Sequence, residues 1–334
     1  MITCEQYQGD KHVKEYTLTS KSLTVKILNL GVTITSVVYN DSGDDVVLGY
    51  DTLDEYKRFE NYFGATIGRC ANRIADAQFC LNNKQYALAK NDGNNALHGG
   101  PSGFHSKIFD AEINNDTICF TYISKDMEEG YPGNLEFKVN VALEDDTLSF
   151  IYYAKSDKDT IVNFTNHSYF ALQGEGKGNV EHQILTCNAT YYGENDENRL
   201  ATGKLLSVEN TPFDFRQGKT IGADIDHMEI EQIRFANGYD HYMRFAKDGD
   251  HRIHLKDENS KHELIVETDL PGFHFYVPCY TPAHIGKNKK PYEGHCAVCL
   301  ETSFLPDAIN SQTNPETLLK ANEEFHSITK YTFK

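Results

Sequence analysis

The chain contains no tryptophan in 334 residues, and only four methionines and nine prolines. Without indole rings, any aromatic platform for a ligand must come from its 20 tyrosines and 19 phenylalanines. Cations are scarce beside anions: 32 Lys and Arg face 49 Asp and Glu, for a formal charge of -17. A phosphate backbone needs clustered Lys and Arg, so this balance argues against a nucleic-acid partner. It gives no support to docking on an anionic membrane either. No apolar run approaches the roughly 20 residues of a membrane helix. The opening Met1-Ile-Thr-Cys-Glu-Gln6 lacks the basic start and apolar core of a secretory signal. Eight cysteines are scattered at 4, 70, 80, 119, 187, 279, 296 and 299, too thinly for a disulfide scaffold. A cytoplasmic protein with reduced thiols is expected. There is no Pro- or Ser-rich linker and no repeat of fixed period. Residues 1–334 are therefore expected to form one domain, long enough to bury a large core.

What the chain does have is alternation. Ile118, Phe120 and Tyr122 alternate with Thr117, Cys119 and Thr121, and Val139, Val141 and Leu143 with Lys138 and Asn140. A period of two suits strands with one buried face. Polar turns punctuate these runs at residues 82–83, 114–116, 144–146 and 257–260. Asn and Asp tolerate the left-handed backbone of tight turns, so successive strands should form antiparallel hairpins. Further strands are expected over 148–154 and 325–333. Helical signals are confined to residues 51–59 and 314–321, the latter with Pro315 early, where its missing N–H costs little. So many strands exceed one flat sheet. The expected class is all-β, a large antiparallel β-sandwich of two packed sheets. The glycines of Gly174-Glu-Gly-Lys-Gly178 do not fit G-x-G-x-x-G and lack a strand–turn–helix context, so this stretch reads as a flexible surface loop.

Three segments are placed to carry chemistry. In Asn163-Phe-Thr-Asn-His-Ser-Tyr-Phe170, His167 lies between an amide and a hydroxyl suited to fix its tautomer, and imidazole titrates near neutral pH. In Asn95-Ala-Leu-His-Gly-Gly100, glycines beside His98 let backbone approach a ligand closely. Glu301 follows the apolar run of residues 296–300, at the end of a core strand that Pro306 should stop. Partial desolvation there raises a carboxyl toward the working range of a general base. The three side chains are expected to face one cleft. Asn72 and Arg73 sit where a strand meets a loop, as planar donors suited to sugar hydroxyls, with a structural ion pair as the alternative for Arg73. Asp240 is a hydroxyl acceptor or a turn residue. His274 alternates with Phe273 and Phe275, which would present it to a ligand while they pack. On one strand, Cys296 and Cys299 would point to opposite faces, which favours packing over redox or metal chemistry. The remaining histidines show no metal-ligand spacing, so no metal is expected.

Six stretches, in chain order, resemble the galactose mutarotase (aldose 1-epimerase) family. They are Phe63-Gly-Ala-Thr-Ile-Gly-Arg-Cys-Ala-Asn-Arg-Ile74, residues 95–100, residues 166–170, Gly238-Tyr-Asp-His241, Leu270-Pro-Gly-Phe-His-Phe-Tyr276 and residues 300–310. They span nearly the whole chain. The resemblance implies a large antiparallel β-sandwich and cofactor-free interconversion of the α and β anomers of a free hexose. By that resemblance Glu301 is similar to the family's general base, His167 to its general acid and His98 to the second cleft histidine. Asn72, Arg73 and Asp240 resemble its sugar-binding residues. Three positions depart from the pattern and bear on the choice of sugar: His274 and Ser303, each in place of a common Gln, and Phe109 in place of a common Trp. The expected chemistry has Glu301 take the O1 proton while His167 protonates O5 from the opposite side of the breaking bond. Rotation about C1–C2 then precedes reclosure. The rival expectations are a glycoside hydrolase pairing Glu301 with Asp240, a sugar-phosphate epimerase, and a sugar-binding sandwich without turnover.

Overall fold

The polar turns make the hairpins expected of them. In this computed structural model, which describes residues 1–7, 10–58, 61–313 and 315–334, Asn82 and Asn83 take φ of 51° and 59°. They join strands Gln78–Leu81 and Lys84–Ala87. Asn115 (φ 55°) and Asp145 (φ 52°) turn the next two hairpins. At residues 257–260 the Asp257 carboxylate caps the turn, accepting the N–H groups of Asn259 and Ser260. The left-handed residue there is Lys261.

The 78–87 hairpin is a two-stranded sheet of its own, and the other three hairpins belong to a nine-stranded antiparallel sheet. The strand expected over 325–333 runs Glu324–Phe333, between Thr147–Ser156 and Glu263–Thr268 near the centre of that sheet. A six-stranded sheet has the order Tyr169–Phe170, Val298–Ser303, Gly272–Tyr276, Asp240–Phe245, Ala189–Asn195, Ala201–Ser207. A four-stranded sheet uses residues 2–39. One apolar cluster joins all three. It takes Leu18 and Val25 from the small sheet, Phe120, Val139 and Phe150 from the nine-stranded one, and Phe273, Phe275 and Leu300 from the third. The expected all-β sandwich is what forms. Alternation fills its interior, because every second side chain of each strand leaves water together.

Local expectations fared unevenly. Leu53–Arg58 is helical, opened by Thr52 and Glu55, each of whose side chains accepts the other's backbone N–H. Phe59, at the end of that expected helix, lies outside the described residues, as does Asn314. Residues 315–321 are not helical. Leu318–Leu319 instead pairs as a strand with Thr160–Ile161, and Val162 N–H bonds the Thr317 carbonyl. Tertiary pairing overrides the weak helical propensity. The 174–178 stretch is no loose loop. Glu175 is 4% exposed, accepts bonds from the Tyr292 hydroxyl (2.6 Å) and Lys290 Nζ (2.8 Å), and anchors the turn on the Asp45 carbonyl.

Arg69, which the sequence reading passed over, is buried, and among the described residues it has no direct carboxylate partner. Its guanidinium donates to the carbonyls of Ser124, Lys125, Pro132 and Gly133 and to Ser124 Oγ, at 2.8 to 3.0 Å. Burial pushes its pKa down to about 10. Arg69→Met would leave several carbonyls unpaired in an apolar setting. It should cost about 3 kcal/mol or more of stability, read as a lower midpoint in urea denaturation.

Candidate active site

The six-stranded sheet has one face in the core and the other under the candidate site. Phe273, Phe275 and Leu300 pack inward. Their neighbours His274, Tyr276 and Glu301 point the other way, with Asp240. Strand register sets His274 opposite Glu301 and Asp240 opposite Tyr276. Two short pairings bring in the rest. Thr165–Asn166 pairs with Thr66–Ile67, and the next residue, His167, is held through its own backbone by Gly64 and Ala65. Arg73–Ile74 pairs with Ala96–Leu97, which sets Asn72 and Arg73 beside His98. Gly99 takes φ of +84°, and a Cβ there would run into the Gly68 carbonyl oxygen, so the chain turns tightly just after His98.

Together these segments enclose a cavity of about 180 Å³. All seven side chains singled out in the sequence line it. His167 Nε2 lies 3.6 Å from Glu301 Oε1. The His98 and His167 rings meet edge to face at 5.1 Å. Asp240 Oδ1 bonds His274 Nε2 at 2.6 Å, and Asp240 Oδ2 is 3.7 Å from Arg73 Nη1. The structural ion pair weighed for Arg73 forms, with its Nε 2.6 Å from Asp92 Oδ2. Asp240 is not a turn residue but the first residue of its strand.

Burial dominates the charge states. It pushes the Glu301 carboxyl well up, helped by the nearby Asp240 charge. It pushes the His167 imidazole down to about 3. It also drives His98 well below its ordinary value, with His167 and Arg73 adding repulsion. For Asp240 burial works upward, but the hydrogen bond from His274 and the Arg73 charge outweigh it and hold this carboxyl well below the usual range. The tautomer of His98 follows from geometry. Its Nδ1 accepts the Asn72 N–H at 3.2 Å, so the neutral ring carries its proton on Nε2 as a donor.

His98, His167 and Glu301 are the one group, among the described residues, whose donor atoms cluster as a metal might require, all within 4.8 Å. The donor set fits a metal poorly. A ligating histidine normally gives its other ring N–H to an acceptor. His98 Nδ1 instead faces an N–H donor, and His167 Nδ1 has no hydrogen-bond partner among the described residues.

Four details differ from expectation. Glu301 lies fourth in the six-residue strand Val298–Ser303, not at its end, and is 2% exposed, so its desolvation is full rather than partial. Asn166 and Ser168 do not touch the His167 ring. Asn166 Oδ1 takes both the N–H and the hydroxyl of Ser168, and the imidazole is held by stacking on Tyr169 (5.0 Å) and Tyr62 (5.9 Å). His167 and Glu301 are immediate neighbours in the cavity lining, not groups on opposite flanks. Cys296 precedes the strand, so alternation does not separate it from Cys299, and both free thiols pack in one apolar cluster. Of the three departures from the family pattern, only His274 lines the cavity. Phe109 is in the core and Ser303 lies beyond the lining.

Residues 14–332 match the family model described as aldose 1-epimerase. The galactose mutarotase of Bos taurus is 36% identical over 331 residues, 97% of this chain and 95% of that protein. The chain belongs to the aldose 1-epimerase family. The aldose 1-epimerase of Escherichia coli (strain K12) is 33% identical over 321 residues, 93% of this chain and 92% of that protein. Among solved structures, a galactose 1-epimerase from Lactobacillus acidophilus NCFM superposes with a TM-score of 0.87 at 28% identity, covering 100% of this chain and 98% of that one. A C. elegans aldose epimerase homologue gives 0.86 at 26% identity, covering 95% and 98%.

In this aldose 1-epimerase family member the sequence reading missed the aromatic walls, Tyr62, Tyr169, Tyr276 and Tyr280, and the rim residue Arg199. The absence of tryptophan pointed to tyrosine in general, but no local pattern singled out these four. Tyr62 takes φ of 56°, and its ring also meets the edge of His98 at 4.7 Å. A bulky residue in that backbone region carries strain that only its surroundings can hold.

Proposed function

We propose that this protein is an isomerase that interconverts the α and β anomers of a free aldohexose such as galactose or glucose. Family membership and the names of its relatives support that reading. The observation that carries it is the 3.6 Å approach of His167 Nε2 to Glu301 Oε1 inside a buried cavity. Ring opening of a hemiacetal removes a proton from O1 and delivers one to O5. Those two oxygens share a single carbon, so a base and an acid side by side suit them better than groups on opposite flanks. Glu301 takes the O1 proton, and burial makes its carboxylate a stronger base. His167 gives its proton to O5. The aldehyde turns about C1–C2, and closure runs the same transfers backward. His98, a neutral Nε2–H donor, stabilises charge developing on an oxygen without competing for the transferred proton. Asn72, Arg73 and Asp240 hold the other hydroxyls.

The small cavity suits one pyranose rather than an oligosaccharide. Eight free cysteines are in keeping with a cytoplasmic, reducing location. Among the described residues no helix is long and apolar enough to cross a membrane. Polarimetry of freshly dissolved α-D-galactose and α-D-glucose tests the reading. Equilibration should run far above the spontaneous rate, with no aglycone released from aryl galactosides and slower turnover of hexose 6-phosphates. Equilibration at the spontaneous rate would leave only sugar binding, and aglycone release would favour a hydrolase.

A further inference from the structure

We propose that Tyr62 is a positioning residue whose ring fixes the placement of His167 and His98 relative to each other, and so acts on the chemical step rather than on sugar affinity. This rests on the sugar-site reading above, in which His167 gives a proton to O5 and His98 stabilises developing charge. The three rings stand in mutual contact. Tyr62 lies 4.7 Å from His98 at an interplanar angle of 61°, and 5.9 Å from His167 at 26°. The two imidazoles are 5.1 Å apart. A third imidazole, His105, meets the Tyr62 ring edge to face at 4.9 Å.

The backbone under that ring is tied to the same histidine. Tyr62 opens a turn in which its carbonyl accepts the Ala65 N–H at 3.0 Å. The His167 carbonyl accepts the Gly64 N–H at 3.0 Å, and the Ala65 carbonyl accepts the His167 N–H at 2.8 Å. One four-residue turn therefore carries both the ring that meets His167 and the groups that hold its backbone. The preceding Asn61 is fixed through its side chain by the hydroxyls of Tyr50 and Tyr280, at 3.0 and 3.1 Å. A φ of 56° is unfavourable for a bulky side chain, and glycine or asparagine would take it with less strain. What tyrosine adds over those residues is a ring wide enough to touch both imidazoles. Proton transfer depends on atoms held close to their reacting positions, and a shift of about 1 Å can cost rate by roughly 10²-fold. The hydroxyl-binding set, Asn72, Arg73 and Asp240, is carried on other segments. Losing the ring should therefore slow turnover more than it weakens binding.

Mutarotation kinetics on galactose test this. Tyr62→Leu should lower kcat about 10- to 100-fold, with KM within about threefold. Tyr62→Phe keeps the ring and should stay within about threefold of the parent in both constants. Proton NMR of the full chain without sugar should show the His98 and His167 ring signals, assigned by their loss in His98→Gln and His167→Asn. They should stay in place in Tyr62→Phe and shift in Tyr62→Leu. A leucine variant with parent-like kcat, or with unmoved histidine signals, overturns the proposal. So does a raised KM with unchanged kcat, which would make Tyr62 a wall for the sugar. A phenylalanine variant as slow as the leucine one also overturns it, by giving the role to the hydroxyl. If circular dichroism shows that the leucine variant does not fold, Tyr62→Asn, which suits the left-handed backbone, replaces it with the same expectations. A parent protein that does not speed mutarotation would sink the sugar reading while leaving the ring placement, read by NMR, standing.

Discussion

Glu301→Gln should lower kcat/KM for anomer interconversion by roughly 10²- to 10⁴-fold, the range expected when a positioned general base is removed. The substitution keeps the size and a hydrogen-bonding carbonyl but cannot accept the O1 proton. Stability should not suffer. The carboxyl is 2% exposed, and burial disfavours its charged form, so a neutral amide is better tolerated there than the anion. A thermal midpoint at or above the parent's, combined with the loss of rate, separates a chemical role from a structural one. Parent-like rates in polarimetry would remove Glu301 from the reaction.

His167→Asn should cost a similar factor, about 10²- to 10⁴-fold, and should also change the sign of one limb of the pH profile. The Glu301–His167 pair passes from two protons through one to none as pH rises, and the steps belong to the pair. Only the one-proton form can take a proton at one oxygen and give one at the other. The parent's kcat/KM should therefore rise past the lower step and fall past the upper one. Burial places these steps in an unusual order, so the one proton rests mostly on Glu301 and the reacting form is the minor tautomer in which it has passed to His167. The imidazole, pushed down to about 3, is on the acid side, and the carboxyl, pushed up, sets the alkaline side. Without His167 only the ionised carboxylate can act, so the variant's small residual rate should rise through the same alkaline range where the parent's falls. A residual rate that falls in parallel with the parent's would mean that His167 does not share the titration.

Much of the fold was legible because its signals are local. Two-residue alternation around Ile118 and Val139, and Asn or Asp at positive φ in the turns, act over a few residues wherever the chain goes. The failures share one cause. Within residues 315–321, Leu318–Leu319 became strand because Thr160–Ile161 offered hydrogen bonds. Gly174–Gly178 became ordered because Tyr292 and Lys290 converge on Glu175. Arg69 looked like one more polar residue until four carbonyls from distant turns closed on it. Each outcome depends on a partner remote in sequence, which no local pattern reports.

The candidate site divides in the same way. Which residues line the candidate site was readable from short stretches: an acid, two imidazoles, an aspartate, and the Asn72-Arg73 pair. How they work was not. The chain order alone cannot say that Glu301 sits in mid-strand, that tyrosine faces rather than Asn166 hold His167, or that Glu301 and His167 stand side by side. Side-chain identity is a property of the covalent chain, and so is the alternation that selects the sheets. Proton affinity and reach are properties of surroundings, and those exist only once sheets and loops have excluded water from between groups that begin far apart.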